Sequence, residues 1–344
     1  MIEIDGSYLE GGGQIIRTAV ALSAVSGKPC KIFNIRAKRF SPGLQAQHKT
    51  AVKSVAKLCS AKLVGAEVGS HSIEFYPREI FGGSLLFDIG TAGSISLVLQ
   101  SLMIPALHCK NVLDIKIKGG TMVRWSPTIG YLQNVTLPLL KKFGYSGNIT
   151  LLRHGYYPKG GGIVEAKIQK SEIRAIELLE RGKLIEIKGS CIASNDLKKS
   201  NVAERMKKIL EQELPKIFDI QPNIKIEYVN TNCPGCGVDL FAEYENSIIG
   251  SNSIGEKGKS AESVAKEALD SLVEEHNSQA PLDKRMSDQI IPYMALGPIS
   301  DGESMVRASA ITNHTKTNIW VVEQFLPVRF ELDEVNKIIK CKTI

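Results

Sequence analysis

The chain has 344 residues, of which 43% are hydrophobic and 23% charged, a composition typical of a globular protein with two domains or with one domain and an insertion. It has no apolar run of about 18 residues and no basic, apolar N-terminus, so we predict a cytoplasmic protein without a membrane span or signal peptide. The formal net charge of +7 favours polyanionic partners without identifying nucleic acid among them.

The segment from Ile2 to Ser60 predicts a short strand, a glycine-rich turn, a helix, a second strand and a second helix. The second strand, Cys30–Ile35, lies between two segments whose apolar residues recur at helical spacing. These residues are Ile15, Ile16, Ala19, Val20 and Leu22 in the first helix, and Ala51, Val52, Val55, Ala56 and Leu58 in the second.

The same alternation continues along the chain. Lys62–Val68 and Ser72–Pro77 predict paired strands, Ser94–Leu107 a buried helix, Val112–Lys118 a strand and Ile129–Phe143 a helix. The order strand, helix, strand, helix and paired strands thus recurs twice. It predicts a layered α/β (α+β) fold of repeated βαβαββ units, with helices on one face of each mixed sheet, and not a doubly wound fold.

A change in pattern near residue 185 indicates an inserted domain. A strand at Leu184–Ile192 is followed by an amphipathic helix, strands at Ile224–Asn230 and Val238–Tyr244, and a long helix before a polar exit at 274–279. We therefore predict a smaller βαββα-type domain at 185–279, and a main catalytic domain made of 1–184 and 280–344.

Seven cysteines, an odd and scattered number, do not resemble a secreted disulfide framework. The one close pair, Cys233 and Cys236, lacks a second such pair or a histidine at metal-ligand spacing. The Pro-Gly between them predicts a turn, with a local disulfide as the alternative.

Three glycines precede the first helix, between Glu10 and Gln14. The free amides and the dipole at the start of a helix favour an anion. A carboxylate at Glu10 is suited to a divalent metal ion, and Gln14 and Arg17 lie one turn apart, facing the same ligand. The alternative is a turn without a ligand.

A second polar segment carries Arg36, Lys38 and Arg39 before a Pro-Gly turn, and Gln47 and His48 at the start of the next helix. A guanidinium group can bind two oxygens of one phosphate at once, so this segment predicts a phosphate site. A solvated loop is the alternative.

Two further glycine-rich loops lie at 90–94, before the helix that carries Gln100, and at 154–162. Neither matches the phosphate-binding loop of P-loop NTPases or the dinucleotide-binding fingerprint. If the chain binds ATP, it therefore binds it in another way.

His314 lies in a polar cluster before an apolar helical stripe. A single histidine is more often structural than catalytic. A neutral imidazole can nevertheless attack phosphorus and form a phosphoramidate, from which the group is readily transferred.

Together these segments resemble the RNA 3'-terminal phosphate cyclase family from end to end. The resemblance rests on EGGGQIIR (10–17), RAKRFSPGLQAQH (36–48), GTAGSISLVLQ (90–100), KGGT (118–121), YYPKGGG (156–162), SDQIIPYMAL (287–296) and HTKTNIWVVEQFL (314–326). It implies repeated βαβαββ units with a smaller domain inserted late.

The resemblance also implies roles for individual residues. His314 would be the nucleophile and Glu10 a metal-associated residue. The phosphate and RNA-end set would be Gln14, Arg17, Arg36, Arg39, Gln47 and His48, and the nucleotide set Gln100, Asp288, Gln289 and Arg285. In bacterial members adenine stacks on a tyrosine three residues before the aspartate; here Arg285 occupies that position, and its guanidinium plane can stack on a purine.

The reaction that the resemblance implies uses ATP, a divalent metal (Mg²⁺ or Mn²⁺) and RNA with a 3'-terminal phosphate. It passes through a histidine-AMP adduct and an RNA-(3')pp(5')A intermediate to a 2',3'-cyclic phosphate. The alternatives are a non-catalytic cyclase-like RNA-binding protein of ribosome assembly, and an enolpyruvyl transferase-like enzyme built from similar repeats. The oligomeric state stays open.

Overall fold

The computed structural model describes the backbone of residues 1–344 and all side chains except those of residues 300 and 301. The first βαβαββ unit has strands β1 and β2 parallel and the rest of its sheet antiparallel, in the order β1-β2-β4-β3. Its elements are β1 (Ile2–Asp5), α1 (Gly13–Ser26), β2 (Cys30–Phe33), α2 (Ala46–Leu58), β3 (Lys62–Val64) and β4 (Ile73–Tyr76).

The second unit repeats this topology, with the sheet order β5-β6-β8-β7 and a parallel pair β5 and β6. A π-helical turn, Leu132–Thr136, joins its two short helices. The elements are β5 (Gly83–Asp88), α3 (Ile95–Ala106), β6 (Leu113–Gly119), α4 (Ile129–Tyr131), α5 (Leu137–Lys142), β7 (Gly147–Arg153) and β8 (Gly162–Ile168).

A short strand, β9 (Glu177–Leu178), begins a third unit, and the insertion follows it at once. The insertion forms a sheet in the order β11-β10-β12-β13 with two helices on one face. Its elements are β10 (Leu184–Ser194), α6 (Val202–Phe218), β11 (Asn223–Val229), β12 (Cys236–Tyr244), β13 (Ile248–Ile254) and α7 (Ala261–Asn277). It thus has one strand more than the predicted βαββα order.

The third unit is then completed, so that its sheet, β15-β16-β14-β9, matches the order of the other two. The remaining elements are α8 (Met286–Gln289), α9 (Ile291–Asp301), β14 (Ser304–Arg307), α10 (Asn313–Phe325), β15 (Val328–Asp333) and β16 (Ile338–Thr343). The predicted class, mixed α/β with repeated βαβαββ units, is confirmed. None of the helices that the structure describes is long and apolar enough to cross a membrane.

Helix α1 lies at the centre of the main body, in contact with α2, α3 and α10. Its apolar residues are buried in a core that all three units share. The ends of these helices are fixed locally: Ser94 caps α3, and Thr312 forms a capping box with Thr315 at the start of α10. The central position of α1 brings its first turn next to the first turn of α10.

The insertion has a hydrophobic core of its own between its sheet and its helices, while the opposite sheet face packs on the main body. Buried polar contacts join the two parts. Thr128 Oγ1 donates to Asp239 Oδ1 at 2.7 Å, and the backbone nitrogen of Gly250 in the insertion donates to Asp283 Oδ2 at 2.9 Å. The independence of 185–279 as a domain stays a prediction. Cys233 and Cys236 are buried free thiols, so the alternative of a disulfide is not realised.

Tyr131→Phe tests the buried carboxylate of Asp283, which accepts from the Tyr131 hydroxyl at 2.7 Å and from Gly250 of the insertion at 2.9 Å. The loss of the hydroxyl leaves the buried Asp283 with one donor fewer, and we expect the free energy of unfolding to fall by about 1–3 kcal/mol. The control is Tyr228→Phe, whose hydroxyl donates to Glu204 at the exposed surface of the insertion, with an expected change within about 0.5 kcal/mol. Urea unfolding measures both; equal effects of the two substitutions would contradict the assignment.

Candidate active site

The predicted site residues come from loops at one edge of the sheets. The loops after β1, β2 and β14 leave the carboxyl ends of parallel strands, where α/β sheets place their ligand sites. The first loop carries Glu10, the second Arg39, and the third leads into His314. Three segments distant in sequence are thereby brought to one place.

His314 and Gln14 are in direct contact although 300 positions separate them. The Nδ1 atom of His314 lies 2.6 Å from Oε1 of Gln14, at the first turns of α10 and α1. The amide nitrogen of Gln14 donates to the carbonyl of His314 at 3.1 Å and to Asp288 Oδ2 at 3.4 Å. These two acceptors fix the amide so that its oxygen faces the imidazole.

This hydrogen bond decides the tautomer of His314. The oxygen of Gln14 can only accept, so Nδ1 of the neutral ring must carry the proton and Nε2 keeps its lone pair. Burial lowers the pKa of His314 below its ordinary value of 6.5, and the charges of Arg17 and Arg39 lower it further, while Glu10 opposes them. The ring is therefore neutral at physiological pH, with a free lone pair on Nε2.

Asp288 supports this pair from the other side. Burial raises the pKa of Asp288 to about 7, against the opposing charge of Arg17. The backbone carbonyl of Asp288 accepts from Asn318 Nδ2 at 2.7 Å, and Asn318 Oδ1 accepts from Thr18 Oγ1 at 2.8 Å. These bonds tie α8, α10 and α1 together beside His314.

The phosphate-binding candidates lie around the glycines of the first loop. Arg39 pairs with Glu10, its Nη2 lying 3.3 Å from the carboxylate, and donates to the Glu10 carbonyl at 3.0 Å. His48 is 5% exposed, and a Cβ added to Gly13 would lie 2.1 Å from its Nε2, so only glycine fits there. Burial and nearby Arg17 and Arg36 lower the pKa of His48 to about 3, which keeps it neutral.

Two members of this set have partners within the loops. Nη1 of Arg36 donates to the carbonyls of Ser41 and Gly43, closing its own loop. Gln47 Oε1 accepts from the backbone of Ser94 at 2.8 Å and so joins this loop to the one at 90–94. Both stay predicted phosphate ligands, and the structure gives each a positioning contact as well.

The nucleotide candidates Gln100, Asp288 and Gln289 line one cavity with Gln14 and Arg17. Its volume is about 50 Å³, against about 300–1,000 Å³ for ligand pockets. A nucleotide can therefore enter only if the lining side chains move. The other lining residues are Thr18, Ser101, Met103, Ile104, Thr136, Pro292, Tyr293 and Asn318.

Arg285 differs from the other nucleotide candidates because it does not line this cavity. It lies one turn before Gln289, whose amide donates to its carbonyl at 3.1 Å, and its charge acts on the carboxyl of Asp239 in the insertion. The position predicted to be the adenine platform thus lies on the side of the insertion contact.

Comparison with known proteins identifies the family of the chain. The family model described as RNA 3'-terminal phosphate cyclase matches residues 8–332. The chain belongs to this family. The expected enzyme family is confirmed.

Curated relatives named RNA 3'-terminal phosphate cyclase match over nearly the whole of both chains. Those of Pyrococcus furiosus and Methanosarcina barkeri are each 46% identical, covering 96% and 97% of this chain and 95% and 97% of their own. That of Methanopyrus kandleri is 42% identical, covering 96% and 95%. A solved enolpyruvyl transferase, NikO of Streptomyces tendae, overlaps 49% of this chain and 33% of its own at 12% identity and a TM-score of 0.29, which supports no conclusion.

Three residues that line the cavity of this candidate site were not predicted from the sequence: Thr18, Asn318 and Tyr293. Thr18 and Asn318 each lie four positions after a predicted residue, Gln14 and His314, so helical spacing was the available signal. Tyr293 lies five positions after Asp288 and gave no such signal.

Nuclear magnetic resonance can test the electrostatics of His314. We expect its pKa to lie below 6.5, to rise in Arg39→Gln and to fall further in Glu10→Gln, because the first change removes a cation and the second an anion. The control is the His108 resonance, at the opposite end of α3, which should not move. Shifts of opposite sign would contradict the placement of these charges.

Proposed function

We propose that this protein converts an RNA 3'-terminal phosphate into a 2',3'-cyclic phosphate at the expense of ATP, through a covalent AMP adduct on His314. Membership of the family supports the overall reaction. The observation that carries the mechanism is the 2.6 Å contact between His314 Nδ1 and Gln14 Oε1, which leaves Nε2 free to attack.

In the first step Nε2 attacks the α-phosphorus of ATP, the P–N bond forms, and pyrophosphate leaves. The ring becomes positively charged while Nδ1 keeps its proton. A charged ring is a stronger donor, so its bond to Gln14 strengthens as the adduct forms. Gln14 thereby stabilises the product of the step without taking part in it.

The cationic and polar groups around His314 are placed to bind phosphates. Arg17, Arg39 and the neutral His48 would hold the oxygens of the triphosphate or of the RNA end. Asp288, Gln289 and Gln100 would hold the nucleoside, with Met103, Ile104 and Tyr293 as its apolar wall.

No group of three described His, Cys, Asp or Glu side chains is close enough to hold a metal ion. Glu10 supplies one carboxylate beside Arg39, which fits the way Mg²⁺ binds through one or two carboxylates and substrate phosphates. A Mg²⁺ or Mn²⁺ ion held there would neutralise charge on the phosphates.

The second and third steps transfer the activated group. An oxygen of the RNA 3'-phosphate attacks the adenylyl phosphorus and the P–N bond breaks. This step gives RNA-(3')pp(5')A and returns His314 to its neutral form. The neighbouring 2'-hydroxyl then attacks the terminal RNA phosphorus and loses its proton, and AMP leaves. This closure is fast because nucleophile and target lie in one molecule.

The structure does not favour the two alternative functions. A non-catalytic RNA-binding protein of ribosome assembly would not need a neutral histidine oriented by a buried amide. An enolpyruvyl transferase forms no covalent nucleotide. Transfer of label from [α-³²P]ATP to the protein would support the cyclase over both alternatives, whereas turnover of phosphoenolpyruvate would support the transferase.

Replacement of the proposed nucleophile tests this mechanism. His314→Ala should abolish both the protein-AMP adduct and cyclisation, and the wild-type adduct should be acid-labile and alkali-stable because a protonated phosphoramidate releases imidazole readily. Labelled ATP measures the adduct.

The same variant supplied with RNA-(3')pp(5')A provides the control. This substrate bypasses the first two steps, so cyclisation should return if the histidine serves only as the nucleophile. An adduct that persists on the His314→Ala protein would contradict the assignment.

Two substitutions distinguish the nucleotide candidates. Gln100→Ala removes a group that lines the cavity and should raise KM for ATP about 5- to 30-fold, as for the loss of one hydrogen bond of about 1–2 kcal/mol. Arg285→Ala, outside the cavity, should change KM by less than about twofold. Initial rates of adduct formation measure both, and a larger effect of Arg285→Ala would restore it as the adenine platform.

A further inference from the structure

Three aromatic side chains are almost completely exposed. Phe40 is 108%, Trp125 92% and Tyr157 79% exposed, more than any other aromatic side chain that the structure describes. Large apolar side chains gain free energy by burial, so three such side chains in solvent indicate a surface that another molecule covers.

All three lie on loops at the edge that carries the candidate active site. Phe40 is in the loop between β2 and α2, and Trp125 in the loop between β6 and α4. Tyr157 is in the connection from β7 to β8, where Gly162 at the start of β8 pairs with Gly119 at the end of β6. The edge of the sheets that carries the candidate active site therefore also exposes these three aromatic rings.

Backbone and side-chain hydrogen bonds join these loops in a row. The first turn of α2, directly after the loop of Phe40, contacts the loop at 90–94 through Gln47 and Ser94, at 2.8 Å. The latter contacts the loop of Trp125 through Gly120 and Gly93, at 2.8 Å, and that loop contacts the loop of Tyr157 through Thr121 N and Gly155 O, at 2.9 Å. The row of loops begins at the candidate active site, because Arg39, next to Phe40, pairs with Glu10, whose charge acts on His314.

The conformation of Trp125 adds a second observation. Its φ angle of +60° lies in the left-handed region, which bulky residues rarely adopt. The ring gains no burial in exchange for this backbone strain; the guanidinium of Arg124 lies over it, 5.9 Å from the ring centroid. A strained, exposed tryptophan indicates a functional constraint and not a packing one.

Each exposed ring has a cationic neighbour in sequence: Arg39 beside Phe40, Arg124 beside Trp125, and Lys159 two positions after Tyr157. Arg39 and Arg124 pair with Glu10 and Glu256, whereas Lys159 makes no ion pair with any side chain that the structure describes. Alternating rings and cations match a single-stranded nucleic acid, whose bases stack on aromatic faces while its phosphates meet the cations.

We propose that Phe40, Trp125 and Tyr157 form a stacking surface for the unpaired nucleotides that precede the RNA 3' end. This proposal rests on the proposed function, since the RNA end must reach His314. Stacking on faces that every base possesses reads no sequence, so the surface selects unpaired RNA of any sequence. A duplex end keeps its bases stacked on one another and cannot use it.

Binding of RNA in the absence of ATP tests the surface separately from catalysis. Fluorescence anisotropy would compare a single-stranded 12-mer and a mononucleotide, both with a 3'-phosphate, on wild type and on Phe40→Ala, Trp125→Ala and Tyr157→Ala. We expect each substitution to weaken binding of the 12-mer about 5- to 50-fold. Binding of the mononucleotide, and adduct formation from ATP, should change less than about twofold.

Phe81→Ala is the matched control. Phe81 is 43% exposed with the ammonium of Lys110 5.3 Å from its ring centroid, but it precedes β5 and so lies at the opposite edge of the sheet. The Phe81→Ala variant should bind the 12-mer with the same affinity as wild type.

Unchanged affinity of all three variants for the 12-mer would overturn the stacking surface, even where wild type prefers a 3'-phosphate to a 3'-hydroxyl. Loss of adduct formation in Phe40→Ala would show that its loop covers the nucleotide instead, and would overturn the role of Phe40. A wild type without preference for a 3'-phosphate would contradict the proposed function, while the length dependence of the variants would still decide the stacking surface.

Discussion

The hydrogen bond between Gln14 and His314 is the constraint on which the rest of the site depends. It requires the first turns of α1 and α10 to meet, and α1 can meet α10 only because three βαβαββ units share one core around it. Asp288 and the carbonyl of His314 fix the amide of Gln14, and the amide fixes the tautomer of the ring. The packing of the three units therefore determines which nitrogen atom of His314 is left without a proton.

Most of the fold could be predicted from the sequence because its elements are strongly patterned. The helices α1, α2, α3 and α7 have apolar stripes, and their glycine and serine boundaries are explicit. The strands β5, β7 and β13 were missed because they follow turns without a clear alternation of apolar and polar residues, and β9 has only two residues. The strands β14, β15 and β16 of the third unit were not predicted either. The π-helical turn at Leu132–Thr136 has no signal in apolar spacing, and its last residue, Thr136, makes a tertiary hydrogen bond to Gln289.

The site was predictable in its chemistry but not in its assembly. Glycine loops, cations and one histidine indicate phosphate chemistry, yet no local pattern shows that His314 lies beside Gln14, because that contact depends on packing between the first and third units. The same long-range packing places Arg285 towards Asp239 and away from the cavity, whereas the family resemblance predicts an adenine platform at Arg285. Thr18 and Asn318 were missed because their role exists only in the bond between them.

The proposed role of Gln14, which leaves only Nε2 of His314 free to attack phosphorus, is tested most directly by the position of the adduct on the ring. The protein would be labelled with [α-³²P]ATP, digested at high pH where the phosphoramidate survives, and its labelled histidine compared with standards substituted at each ring nitrogen. The account predicts the label on Nε2 of His314. Label on Nδ1 would show that the bond to Gln14 is absent in the reacting enzyme and would contradict the account.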